Sequence, residues 1–242
     1  MQNPPTGKKP DGPGKNPAVH YGDDDGDDPT AALRNTPNFN DGGDPIAEPI
    51  RSKLETVSVE PGLHIVSTPI GNLADITLRA LAVLSRADVI ACEDTRVTGK
   101  LKSAFSLTAP LIPYHEHNAA RAIPKFIGQL EEGRIVALVS DAGTPLISDP
   151  GYRLVNAAID AGISVIAVPG PSAALAALVA SGLPTDRFLF VGFLPARSAA
   201  RRKELTALAE LQASLVFYES PGRLAASLAD MAQIFAERPA VI

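Results

Sequence analysis

From residue 63 onward, short apolar runs rich in β-branched residues alternate with longer segments whose apolar residues recur every three to four positions. The short runs predict strands and the longer segments predict amphipathic helices. Parallel strands joined by helical crossovers form a sheet covered by helices. We therefore predict an α/β protein with a mostly parallel sheet. The predicted strands are residues 63–67, 89–92, 135–139, 164–168, 188–191 and 215–218; the predicted helices are residues 73–84, 119–130, 152–161, 172–181, 199–211 and 223–235.

The first 58 residues have a different composition, rich in Pro, Gly, Asp and Asn, with five aspartates between residues 23 and 28. Because they show no apolar periodicity, they predict a disordered acidic leader. The aspartate run lacks the ligand spacing of a calcium-binding EF-hand loop. Six of the 22 basic and ten of the 27 acidic residues lie in this leader, so the remaining chain is nearly neutral and a nucleic-acid partner is not excluded.

Two α/β domains are expected after the leader, the first over residues 59–172 and the second over residues 173–242. The apolar run at residues 240–242 predicts the beginning of a strand, so the second domain is expected to be incomplete at its C-terminus.

Composition restricts the location and the chemistry of the protein. A single cysteine, Cys92, rules out an intrachain disulfide and favours a reducing compartment, the cytoplasm. As the end of an apolar strand, Cys92 is expected to be a buried small residue rather than a nucleophile. The sequence shows neither a run of about twenty apolar residues nor a signal-peptide pattern.

Histidine spacing raises the question of a metal. His115 and His117 flank Glu116, a spacing that would place both imidazoles on one side of a strand. A mononuclear metal site also needs a third protein ligand, and the sequence offers no obvious one. No metal is therefore expected.

Four loops rich in glycine, proline and polar residues follow predicted strands. In a parallel sheet such loops meet at one edge, so we expect them to form one ligand-binding cleft. The usual glycine-rich motifs for dinucleotides and nucleoside triphosphates are missing, as is the nucleophile elbow of serine hydrolases. The four loops read TPIGN (residues 68–72), EDTR (93–96), SDAGTPLISDPG (140–151) and PGPSA (169–173).

The sequence words TPIGNLADIT, EDTR, SDAGTPLISDPGY, PGPSA, GLPTDRFLFVGFLP and FYESPGR, in this order, resemble the tetrapyrrole methylase superfamily. Within it they resemble the branch that methylates the ribose 2′-hydroxyl of a cytidine in 16S ribosomal RNA. The resemblance covers residues 63–242. It implies a class III methyltransferase with two αβα domains, S-adenosylmethionine bound between them, and a homodimer.

The resemblance also implies which residues bind the donor. A sulfonium donor needs a shaped pocket, backbone polar groups and a few oxygens, and glycine- and proline-rich loops supply these. The implied donor site consists of Pro69, Gly71, Asp141, Gly143, Thr144, Ile147, Ser172, Ala173, Phe193 and Tyr218.

Methyl transfer to a ribose hydroxyl benefits from a general base, since the hydroxyl is a weak acid. Glu93 and Asp94 of the EDTR loop are candidates, and His115 is a third, because histidine is a common general base near neutral pH. The alternative is that Asp94 pairs with the neighbouring Arg96 and that His115 is a surface residue. The sequence does not decide between these readings.

One dense basic cluster follows the GFLP segment and is predicted to contact the phosphates of 16S ribosomal RNA or the small ribosomal subunit. Its members are Arg197, Arg201, Arg202 and Lys203. A solvated helix face is the alternative. The resemblance implies methyl transfer from S-adenosylmethionine to the ribose 2′-hydroxyl of a cytidine in 16S ribosomal RNA as the function. A corrin or tetrapyrrole methyltransferase and an inactive donor-binding interaction protein are the alternatives.

Overall fold

The computed structural model describes residues 47–242, in which strands and helices alternate. The strands of this part of the chain are β1 (Gly62–Val66), β2 (Val89–Cys92), β3 (Leu111–Pro113), β4 (Ile135–Val139), β5 (Val165–Val168), β6 (Phe188–Phe193) and β7 (Ser214–Tyr218). The α-helices are α1 (Ala47–Thr56), α2 (Leu78–Arg86), α3 (Thr95–Ala104), α4 (Ala119–Glu131), α5 (Tyr152–Asp160), α6 (Ala173–Ala180), α7 (Ser198–Leu208) and α8 (Pro221–Phe235).

The first five strands form one parallel sheet in the order β3-β2-β4-β1-β5. Its strands are almost entirely apolar, with His64 of β1 as an exception, since helices cover both faces of the sheet. In β4, Val136 and Leu138 pack toward α4 and α5, whereas Ala137 and Val139 pack toward α2 and α3. The predicted α/β class with a mostly parallel sheet is confirmed.

Strands β6 and β7 form a second, two-stranded parallel sheet; each is followed by a helix, and these helices, α7 and α8, pack against each other. The pairing register shifts between Phe190 and Gly192, where β6 forms a bulge. Gly192 has a φ of +77°, a conformation that glycine adopts at little cost. The bulge re-aims the end of β6, including Phe193.

The helix predicted over residues 73–84 is divided in the structure. A short 3₁₀ helix spans Leu73–Asp75, and α2 begins only after Thr77, whose hydroxyl oxygen accepts a hydrogen bond from the Ala80 amide at 3.1 Å. Apolar periodicity continues through both pieces, so periodicity alone did not reveal the break. The capping residue sets the helix start.

Two elements were missing from the sequence interpretation. Helix α3 buries only Thr98 and Leu101, so it has almost no apolar stripe. Strand β3 has three residues, too few to show a period of two. Both elements lie in the irregular stretch between the strands predicted at residues 89–92 and 135–139.

The ends of the chain also differ from the prediction. Residues 1–46 of the predicted leader lie outside the described residues, but residues 47–56 form α1 instead of the expected disordered chain. The Arg86 guanidinium fixes the end of this helix by donating hydrogen bonds to the carbonyls of Leu54 (2.9 Å) and Val57 (2.5 Å). Residues 240–242, predicted to begin a strand, pair with neither described sheet, and the expected incompleteness of the second domain stays a prediction. The domain boundary at residues 172–173 stays a prediction.

Candidate functional site

Three of the post-strand loops are tied together at the edge of the first sheet. Thr68 and Gly143 exchange backbone hydrogen bonds, with N–O distances of 2.9 and 3.1 Å. The Thr144 hydroxyl lies 2.9 Å from the Ser67 hydroxyl and donates to the Pro171 carbonyl at 3.2 Å. The loops after β1, β4 and β5 therefore form one connected wall, as their positions in a parallel sheet predict.

Unusual backbone conformations concentrate in the loop after β4. Gly143 has a φ of +83°, and the non-glycine residues Leu146 and Ser148 have φ values of +73° and +62°. Non-glycine residues in this region are strained, and such strain clusters at ligand sites. The backbone is also closely packed at Gly170, in the loop after β5, where an added Cβ would lie 2.9 Å from the Cβ of Ser67.

The second sheet supplies an aromatic wall opposite this loop. The rings of Phe193 and Tyr218 lie edge to face with centroids 5.6 Å apart, and Tyr218 also packs on Phe190 at 4.8 Å. At the bulge in β6 the backbone lies close to the loop after β4. A Cβ added to Gly192 would lie only 2.9 Å from the Ser148 hydroxyl oxygen.

A cavity of about 220 Å³ lies between these walls. Seven of the ten predicted donor-site residues line it, namely Gly143, Thr144, Ile147, Ser172, Ala173, Phe193 and Tyr218. Pro69, Gly71 and Asp141 do not. Four further lining residues were missed, namely Ile70, Ala142, Ser148 and Asp149. All four lie within two of the loops predicted to form the cleft, residues 68–72 and 140–151. The loops as a whole therefore predicted the cavity lining better than the individual residues did.

The three candidate bases meet in a second cavity of about 410 Å³. It is lined by Glu93, Asp94, Thr95, Pro113, His115, His117 and Asp141. The histidines lie in the connection after β3, with ring centroids 5.9 Å apart, so the prediction that they share a strand face is wrong. Asp141, expected at the donor site, instead accepts a hydrogen bond from the Asp94 amide at 3.1 Å in this second cavity.

Asp94 is engaged in local structure. Its carboxylate caps α3 by accepting from the Arg96 amide at 2.8 Å, and it forms an ion pair with the Arg96 guanidinium at 2.6 Å. These hydrogen bonds with Arg96 lower the pKa of Asp94 to about 2. Such a carboxylate is a weak base, so the alternative reading of a loop ion pair fits Asp94.

Glu93 has the opposite electrostatic environment. Burial raises the pKa of Glu93, and the nearby carboxylates Asp141 and Asp149 raise it further, while His115 opposes them. Asp149 lines the 220 Å³ cavity, the candidate donor cavity, and Asp141 lines the 410 Å³ cavity. Glu93 therefore lies within electrostatic reach of both cavities. A carboxylate with a raised pKa is better suited to accept a proton near neutral pH.

Cys92 is fully buried, with an exposed fraction of 0%, and this burial determines the protonation state of its thiol. Burial raises the pKa of its thiol, which keeps it in the unreactive neutral form.

Over residues 47–242, no group of three His, Cys, Asp or Glu side chains could hold a metal ion. In the same span, no helix combines the length and the apolar character needed to cross a membrane.

The four residues of the predicted basic cluster differ in solvent exposure. Arg197, Arg202 and Lys203 are exposed, but Arg201 is 4% exposed and forms an ion pair with Asp230 at 2.6 Å. The prediction that Arg201 contacts RNA phosphates is therefore wrong, because its guanidinium is inside the protein. The sequence contained a signal for this: Arg201 precedes Leu205 by one helical turn, and these two are the buried residues of α7.

The parallel sheet, its connected loops and the adjoining cavities define an α/β ligand-binding protein with its site at the carboxyl edge of the strands. Residues 62–242 match the model of the tetrapyrrole (corrin/porphyrin) methylases. The chain belongs to this family.

Two relatives have the name ribosomal RNA small subunit methyltransferase I. The protein from Mesorhizobium japonicum is 58% identical over 79% of this chain and 66% of its own length. The protein from Escherichia coli O157:H7 is 52% identical over 74% of this chain and 63% of its own length. The chain thus spans slightly less than two thirds of the length of these relatives.

A solved structure, the uroporphyrin-III-C-methyltransferase from Thermus thermophilus, shares the fold. It is 25% identical to this chain, covers 74% of both chains and gives a TM-score of 0.50.

Proposed function

We propose that the protein transfers a methyl group from S-adenosylmethionine to the ribose 2′-hydroxyl of a cytidine in 16S ribosomal RNA. The observation that carries the proposal is the pair of adjoining cavities, one with the shape and polarity for the donor and one with an available base. The names of the two relatives support the choice of ribosomal RNA as the acceptor.

The residues of the smaller cavity suit this donor. Phe193, Tyr218 and Ile147 offer apolar surface, and the Ser172 hydroxyl lies at the start of α6, where backbone amides can bind a carboxylate. Gly143 lets the backbone approach the ligand. The cavity is smaller than the roughly 300 to 1,000 Å³ of whole-ligand pockets, so these walls surround part of the donor.

When bound, S-adenosylmethionine supplies an electrophilic methyl group on a sulfonium. The donor loops hold this group toward the second cavity, whose 410 Å³ can take a nucleoside-sized acceptor. Glu93 would accept the proton of the ribose hydroxyl as the hydroxyl oxygen forms its bond to the methyl carbon and the methyl–sulfur bond breaks, with S-adenosylhomocysteine as the leaving group. Positioning two reactants in line contributes about 7 to 11 kcal/mol to such a reaction.

Three exposed cations, Arg197, Arg202 and Lys203, supply phosphate contacts at the start of α7. We propose the small ribosomal subunit or its RNA as the partner and the cytoplasm as the location, which suits a chain with one buried thiol. A homodimer is proposed from the resemblance to the family, and analytical ultracentrifugation tests it.

Calorimetry with S-adenosylmethionine, followed by transfer of a labelled methyl group, tests the proposed function. We expect donor binding and label in 16S RNA, with small subunits and free RNA compared side by side. Digestion to nucleosides should place the label on the ribose of cytidine. Label in a base, or no donor binding, contradicts the proposal.

The same experiment distinguishes the alternatives. A corrin or tetrapyrrole methyltransferase would label a tetrapyrrole acceptor and leave RNA unlabelled. An inactive interaction protein would bind the donor and label neither acceptor.

A further inference from the structure

Three consecutive backbone carbonyls in the turn after β6 accept hydrogen bonds from arginines. The Arg223 guanidinium, on α8, donates to the Leu194 carbonyl at 2.5 Å. The Arg201 guanidinium, on α7, donates to the carbonyls of Pro195 (3.4 Å) and Ala196 (3.3 Å). The path of this turn is therefore fixed from two different helices.

Arg201 is itself held in one orientation. Its Nε and Nη2 atoms approach the same carboxylate oxygen of Asp230 at 2.8 and 2.6 Å. The Ser198 hydroxyl donates to that carboxylate at 2.9 Å. Because both Arg201 and Asp230 are less than one tenth exposed, water screens this pair little.

Arg223 is fixed in a similar way by Glu219, which directly follows Tyr218. Arg223 Nε lies 2.9 Å from one carboxylate oxygen of Glu219, and the Ser227 hydroxyl donates to the other at 2.5 Å. The Ser220 amide also donates to Glu219, at 2.8 Å. Burial alone would raise the pKa of Glu219, but these hydrogen bonds lower it, so the carboxylate stays charged.

The turn that both arginines bind, and the Glu219 partner of Arg223, adjoin the aromatic wall of the donor cavity in sequence. Phe193 immediately precedes the turn, and Tyr218 immediately precedes Glu219. We propose that Arg201 and Arg223 are positioning residues that hold Phe193 and Tyr218 in place for donor binding. The identity of the ligand rests on the proposed function, whereas the fixing of the turn does not.

A purely structural arginine offers a matched comparison. Arg238 also donates hydrogen bonds to several carbonyls, those of Ala209, Leu211 and Ala213, in the connection between α7 and β7. That connection precedes β7, whereas Tyr218 lies at the opposite, carboxyl end of the same strand. Loss of Arg238 therefore removes comparable carbonyl contacts at the opposite end of β7, together with the contact of its guanidinium with the Phe235 ring at 5.6 Å from the centroid.

Calorimetry of donor binding by R201M, R223M and R238M tests the proposal. We expect R201M and R223M to weaken S-adenosylmethionine binding about tenfold, within the range of couplings between neighbouring residues. R238M should change the dissociation constant less than about twofold, since distant changes are nearly independent. Unchanged binding in folded R201M and R223M, or equal weakening in R238M, overturns the proposal.

A double-mutant cycle with F193A separates positioning from general loss of stability. If Arg201 acts through Phe193, R201M should weaken binding much less when Phe193 is already alanine. Fully additive losses would mean that Arg201 does not act on the donor through this ring.

Removing one partner of a buried pair can prevent folding, whereas replacing both partners by apolar residues is often tolerated. The variant R201M with Asp230→Leu therefore serves if R201M alone does not fold. Hydrogen exchange of residues 192–196 gives a readout that needs no donor: it should accelerate in this variant and in R223M, but not in R238M. Unchanged exchange in both overturns the positioning role. If the wild-type chain fails to bind the donor while exchange behaves as expected, the proposed function fails and the fixing of the turn by the two arginines stands.

Discussion

At the scale of single residues, environment decides the role of chemically similar groups. Glu93 and Asp94 are adjacent carboxylates, yet Asp94 caps α3 and pairs with Arg96, whereas Glu93 has a raised pKa near two other carboxylates. Arg201 and Arg202 are adjacent arginines, and only Arg202 is exposed. Neighbouring positions with nearly the same chemistry therefore differ in what they can do.

Replacing Glu93 by glutamine should remove the base and leave the donor cavity intact. We expect the rate of methyl transfer to fall about 10² to 10⁴-fold, the usual contribution of a general base, with unchanged donor affinity. In the wild type the rate should rise with pH through a pKa above the ordinary 4.5 of glutamate. Single-turnover kinetics across pH measures both, with Glu116→Gln as the exposed control; a pH profile retained by E93Q would contradict the assignment.

The same substitution should stabilise the fold. Because the pKa of Glu93 is raised on folding, the folded state holds this proton more tightly than the unfolded state, and stability falls as pH rises from about 4.5 through the raised value. Glutamine does not ionise, so the variant does not lose stability in this way as pH rises. It should therefore be more stable than the wild type at neutral pH and equally stable in acid. Denaturation at several pH values measures the difference.

Gly143 should be intolerant of a side chain for both stability and binding. Its φ of +83° makes alanine unfavourable by about 1 to 2 kcal/mol. The new Cβ would also contact Ile70 within the donor cavity at 3.4 Å. Gly133→Ala is the matched control, with a φ of +77° and open space around the new Cβ. Both variants should lose stability in urea, but only G143A should lose donor affinity in calorimetry.

At the scale of elements, the sequence predicted those with long apolar patterns and missed those without. Strand β4 has the predicted bounds, and α4 extends the predicted helix by one residue, since each buries a regular set of side chains. Helix α3 and strand β3 were missed because the first is mostly polar and the second is very short. The true start of α2 depends on one capping hydroxyl.

Replacing Thr77 by alanine should therefore destabilise the protein by about 1 kcal/mol, the usual value of an N-cap. Thr77→Ser keeps the hydroxyl that accepts from the Ala80 amide and should retain most of the stability. Equilibrium unfolding in urea compares the two variants. Equal losses would mean that the threonine methyl, not the cap, stabilises α2.

At the scale of the whole molecule, the site exists because two sheets meet. The first sheet contributes the connected loops, and the second contributes Phe193 and Tyr218. The exposed cations at the start of α7 directly follow the turn that bears this aromatic wall. Donor binding and RNA binding should therefore be separable by mutation.

Reversing the charge at Arg197, Arg202 and Lys203 should weaken binding to small-subunit RNA and leave donor affinity unchanged. If each cation neutralises one phosphate, the salt-dependence slope should fall by about 2 to 3. The control reverses Arg51, Arg121 and Lys125, which are exposed on α1 and α4. Filter binding at several salt concentrations measures the slope, and an equal drop in the control would indicate a nonspecific charge effect.

The sequence by itself determined the α/β class, most of the strands and the loops that line the donor cavity, because these follow from local apolar periods and from glycine and proline positions. The tertiary structure decided which residues of those loops face a cavity. In the structure, Asp141 lines the second cavity, and Arg201 is buried in an ion pair with Asp230. The pKa of Glu93 is raised, whereas that of Asp94 is lowered. These outcomes depend on burial and on partners distant in sequence, such as Arg201 and Asp230, which are 29 positions apart, and no local pattern encodes such contacts.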